Sequence, residues 1–115
     1  MSETKVNSEL FRKIADRIER EPHMYDQRYS ERENDEGEAA CIYCFAREIL
    51  GSPDKGDKYL NGRMMPDDDL RIAVGLNIED TQTLYHYSWK PRSGLTVPEA
   101  LRAIADGKSV QEVSA

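Results

Sequence analysis

"GEAACIYCFAREILG", residues 37–51, is the densest apolar stretch of the chain and holds both of its cysteines, Cys41 and Cys44. Apolar residues fill nearly every position from Ala39 to Ala46, after which Arg47 and Glu48 offer a wet side. A helix that is apolar all round belongs at the centre of a molecule. Gly51 stands where a helix commonly ends in a left-handed residue, a conformation glycine adopts without a Cβ penalty. Residues 39–50 are therefore predicted to form a central buried helix.

Working outward, "NSELFRKIADRIEREP" (residues 7–22) places Val6, Leu10, Ile14 and Ile18 four residues apart, with Phe11 and Ala15 beside them. That spacing predicts one amphipathic helix, capped by Asn7 or Ser8 and stopped by Pro22. Residues 28–38 are acidic and poor in large apolar side chains, which predicts a solvated polar loop anchored by Met24, Tyr25 and Tyr29. After Gly51, a short helical turn is expected around residues 58–60, followed by a loop. Asp67, Asp68 and Asp69 suit the first turn of a next helix, where the positive end of the dipole favours acids. Asn77 caps another helix that runs towards Pro91. Thr96-x-x-Glu99 forms a capping box for a helix over Leu101, Ile104 and Ala105. Residues 108–115 either add a last turn or fray. No long stretch alternates with period two; "SGLTV" (residues 93–97) is the sole strand candidate. The expected class is all-α: one domain over residues 1–115, with about five short helices around the central one.

At 115 residues the chain suits a single core, with 38% hydrophobic and 33% charged residues. The net charge of −6, from 22 acidic and 16 basic residues, argues against a surface built to hold a phosphate backbone. The N-terminus lacks the apolar region of a secretory signal, and no apolar run reaches the length of a bilayer span. Two cysteines three apart make a poor disulfide staple. These features predict a cytoplasmic protein with reduced thiols.

The Cys41-x-x-Cys44 spacing raises a metal knuckle or a redox pair. Zinc needs four ligands, and His23 and His86 are the only histidines to complete the set; both are distant in sequence. A redox pair of the oxidoreductase type needs a strand before the first cysteine and a helix starting at it, and neither is read here. Two small side chains buried on adjacent turns of one helix account for the pair best. "LRIAVGLNIEDTQTLYHY" (residues 70–87) has the outline of a helix-turn-helix. Its second helix lacks Lys and Arg and opens with Glu79 and Asp80, so an αα-hairpin is the better reading. The acids at 67–69 lack the spacing of a calcium loop. "LYHYSW" (residues 84–89) clusters aromatic residues around one histidine, with Arg92 just beyond. No nucleophile motif accompanies it, but Tyr, Trp and Arg are enriched at binding hot spots. Tyr85, His86, Tyr87, Trp89 and Arg92 are the candidate partner-binding residues. No catalytic residue, metal or cofactor is expected.

The stretches "IEREP", "MYDQ", "ACIYCFAREILG" and "YSWKP" resemble the landmarks of a family of small helical proteins of actinobacteria and their phages. There a first helix ends at Pro, an aromatic-x-Gln follows, a helix opens Cys-Ile-Ala-Gly and closes at Leu-Gly, and later helices end near Trp and Pro. The resemblance spans residues 10–107. This chain departs at Tyr43-Cys44, where the family has Ala-Gly, and at Phe45, where it has His or Trp. Cys44 then takes a small-residue packing position. The resemblance implies no reaction and supplies no catalytic residues; it implies a phage or accessory-genome origin. The functional expectation is a non-enzymatic accessory protein that binds a host protein or sequesters a small ligand. The alternatives are a helix-turn-helix nucleic-acid regulator and a Cys-x-x-Cys metal or redox protein.

Overall fold

The computed structural model describes residues 6–25, 32–34, 37–39, 41–53, 55–56, 58–86 and 88–115, with the backbone alone for 32–34 and 37–39. Six α-helices occur among them: α1 (Ser8–Arg20), α2 (Ile42–Leu50), α3 (Asp68–Val74), α4 (Ile78–Tyr85), α5 (Val97–Ala105) and α6 (Val110–Val113). A 3-10 turn, Pro22–Met24, follows α1. Two antiparallel hairpins complete the set: β1 (Arg32–Asn34) with β2 (Gly37–Ala39), and β3 (Lys58–Leu60) with β4 (Arg63–Met65). The molecule is mostly helical, as its sequence predicts, but it is not all-α.

α1 forms where the four-residue spacing places it. Asn7 accepts from the Leu10 amide and caps it, and Leu10, Phe11, Ile14, Ala15 and Ile18 form its buried face. That face packs chiefly against α5, which contributes Ala100, Leu101, Ile104 and Ala105. Residues Ile42–Arg47 of α2 are all buried, as a central helix requires. Arg47 is a correction: it is buried and only Glu48 of the expected wet pair is exposed. Gly51 ends the helix with φ +69°.

Four further boundaries differ from the sequence reading. α2 begins at Ile42, with Cys41 as its N-cap, because residues 37–39 belong to a strand. β1 and the first two residues of that strand lie inside the stretch read as a loop over residues 28–38; the remainder of that stretch is outside the described residues. Residues 58–60 form a strand rather than a helical turn, because Asn61 and Gly62 both take positive φ (55° and 77°) and reverse the chain tightly. α4 stops at Tyr85, and residues 89–92 are held by the C-terminal segment instead. The Arg92 amide donates to the Val113 carbonyl (2.7 Å) and the Ala115 amide to the Lys90 carbonyl (3.1 Å). Val110 and Val113 of α6 are buried, so the terminal segment adds a packed turn. "SGLTV" is no strand; Thr96 caps α5 with both halves of the capping box formed.

Candidate functional site

The β3–β4 hairpin rests on α4, and the contact is organised by one buried amide. Gln82 Nε2 donates to the Leu60 carbonyl (3.0 Å) and approaches the Arg63 carbonyl (3.4 Å), tying both ends of the turn to the helix. Tyr59 of this hairpin is 73% exposed, beside the half-exposed Leu60. Between hairpin and helix lies a cleft of about 360 Å³, bordered by Tyr59, Arg63, Met64, Tyr85 and His86. A second hollow of about 240 Å³ shares Arg63 and His86 and continues past Trp89 and Lys90 to the C-terminal segment. The two hollows meet at Arg63 and His86 by the end of α4 and are taken together as one groove.

The residues expected to bind a partner fall in different places. Tyr85 and Trp89 belong to the core. Tyr85 packs edge-on against Tyr43 (5.3 Å between centroids, 86° between planes) and shows only its margin to the cleft. The Trp89 indole N–H donates to Ser114 Oγ (2.9 Å), which satisfies its one donor and pins the C-terminal segment. His86 is exposed at the junction of the two hollows, its Nδ1 accepting from the Ser88 amide (3.0 Å). Arg92 is exposed, with Nη1 donating to the Glu112 carbonyl (3.3 Å), and borders neither hollow. Tyr87 lies outside the described residues.

Tyr59, Arg63 and Lys90 join the site, although the sequence reading passes over them. Two of these are cations that share with Arg20 and Arg92 the lack of a carboxylate partner among the described residues. Arg12, Arg17, Lys55, Lys58 and Arg102 each meet a carboxylate. With the exposed His86 between them, Arg63 and Lys90 give this groove a basic lining in a chain of net charge −6.

The remaining candidates have local explanations. Asp67 caps α3 through the Leu70 amide (3.0 Å), while Asp68 and Asp69 pair with Lys58 and Lys55. Lys58 holds the Asp68 carboxyl below the usual carboxylate range. α3 and α4 are joined at Gly75–Asn77, and α4 opens on Glu79 and Asp80. Cys41 and Cys44 are buried with their Sγ atoms 3.3 Å apart. No group of three or more His, Cys, Asp or Glu is gathered for a metal among the described residues, and no helix there is long and apolar enough to cross a membrane. Comparison with protein-family models, curated proteins and solved structures found no match to this chain.

Proposed function

We propose that the chain is a non-enzymatic binding protein whose contact surface is the groove at the end of α4. The observation that carries this reading is the pair of cations, Arg63 and Lys90, that meet no carboxylate among the described residues and flank His86 beside the largely exposed Tyr59. An exposed aromatic next to cations is the composition of a binding hot spot. The positive lining favours a partner protein that presents an acidic segment, since complementary charge steers encounter and fixes register. The cleft volume also lies within the range of small-ligand sites, so sequestration of a small anionic molecule uses the same residues. A cytoplasmic accessory role, in line with the resemblance to phage-encoded helical proteins, fits this reading. Affinity capture with the wild-type chain and with a Tyr59→Ala, Arg63→Glu variant tests it. Proteins recovered by the wild type and lost with the equally stable variant are expected; identical recovery would remove this surface from consideration.

A further inference from the structure

We propose that Cys41 and Cys44 form a dithiol/disulfide site that exchanges with small disulfides of the glutathione class. The arrangement comes from the way α2 begins. β2 ends at Ala39, Cys41 is the N-cap, and the Cys41 carbonyl accepts from the amides of Cys44 (3.0 Å) and Phe45 (3.2 Å). That first turn brings the N-cap and third helical side chains together, with the two Sγ atoms at 3.3 Å. A disulfide needs about 2.0 Å between sulfurs, so the atoms must close from 3.3 Å by about 1.3 Å. The strand before the first cysteine and the helix starting at it are both present, although the sequence reading finds neither. Loop closure adds little cost, because the ends already touch.

The exchange balances as follows. The thiolate of one cysteine attacks a sulfur of the small disulfide, forming a mixed disulfide and releasing one small thiolate. The thiolate of the other cysteine attacks the protein sulfur of that mixed disulfide, closing Cys41–Cys44 and releasing the second small thiolate. Two electrons pass to the small disulfide, and its two thiolates take up the two protons the cysteines lose.

Cys41 and Cys44 are only 3% and 2% exposed, so exchange proceeds through local opening at the start of α2. The hydrogen bond shared with Cys44, reinforced by burial, pushes the Cys41 thiol well above its ordinary range, against the pull of the Tyr43 and Cys44 amides. The reaction is therefore slow at neutral pH and accelerates as pH rises. Neither cysteine borders the groove, so this site and the binding surface stand or fall separately.

The test is incubation of the folded chain with glutathione disulfide at mildly alkaline pH, followed by acid quench, intact mass and peptide mapping. The expected product is lighter by two hydrogen atoms, cross-linked between residues 41 and 44, free of glutathione and restored by dithiothreitol. A Cys44→Ser variant should retain one glutathione on Cys41, but the wild-type mapping decides the matter alone. A lasting wild-type glutathione adduct, a disulfide-linked dimer, or thiols that survive in the folded chain yet oxidise in urea would each overturn the proposal. Stoichiometric zinc that survives dialysis and protects both thiols would overturn it as well.

Discussion

Tyr43 shows how a single buried hydroxyl sets a pH dependence. Burial pushes its phenol far above the ordinary tyrosine range, and Thr81 beside it pulls only partly in the other direction. In the unfolded chain the phenol ionises near pH ~10, whereas in the fold it keeps its proton. The unfolded state then binds fewer protons, so stability falls as pH rises above about 10. The Cys41 thiol acts with the same sign from about pH 8.5. Urea midpoints measured from pH 8 to 11 should fall in the wild type. The loss above pH ~10 should be shallower in Tyr43→Phe, and the earlier loss shallower in Cys41→Ala. Gln82 is a second residue of consequence. Gln82→Leu should strip the Leu60 and Arg63 carbonyls of their shared donor and cost about 1–2 kcal/mol. Thermal denaturation checks this, with loss of hairpin amide protection as a local readout. Neither residue is picked out by the sequence: a Gln on a helix and a Tyr in an apolar run acquire these roles only from what packs against them.

Among the elements, helix starts were legible because they depend on local hydrogen bonds. Asn7, Asn77 and Thr96 cap where the residue types suggest, whereas Asp67, expected inside a first turn, is itself the cap. Thr96→Ala should cost about 1 kcal/mol by removing one half of the α5 capping box, read as a drop in melting temperature. Gly51→Ala should cost about 1 kcal/mol through backbone strain alone, because a Cβ at φ +69° meets nothing within 4 Å. The β3–β4 hairpin was missed, although the sequence carries a specific signal for it. Asn-Gly at the centre of "YLNGRM" is the pair that a two-residue reversal with positive φ demands. The flanking strands are only three residues long, so period-two alternation could not reveal them. The end of α4 had no such signal. Residues 86–90 are as compatible with helix as residues 78–85, and the stop at Tyr85 coincides with Trp89 reaching Ser114.

At the scale of the molecule, the α1–α5 seam joins an apolar stripe to a charged rim. Arg102 donates to Asp16 (2.7 Å) and to Glu19 (2.9 Å) across it. Its hydrogen bond and charge hold the Glu19 carboxyl below the usual carboxylate range. A lowered carboxylate contributes stability above its unfolded pKa and loses it as pH falls. Arg102→Gln should flatten the acid limb of the stability curve below about pH 4.5. The Glu19 side chain is largely exposed and that of Arg102 partly so, and added salt should therefore reduce the difference between the two proteins. Mutating the groove should behave differently: Tyr59→Ala, Arg63→Glu leaves the seam and core intact and is expected to change binding with little change in melting temperature.

The sequence by itself determined the mostly helical class, the buried stripe of α1, the central position of α2 and the helix caps. Those follow from periodicity and from hydrogen bonds that close within a few residues. Only the tertiary structure decided which aromatic residues face outward. Tyr85 and Trp89 read as surface anchors in a cluster, yet one edge-to-face contact and one indole hydrogen bond draw them into the core. Tyr59, far away in the chain, takes the exposed position because Gln82 fastens its hairpin to α4. The Cys-x-x-Cys spacing placed the two cysteines on adjacent turns, but left open the 3.3 Å approach of their sulfurs at the very start of a helix. α2 starts at Ile42 rather than Ala39, with residues 37–39 paired in a strand outside the helix.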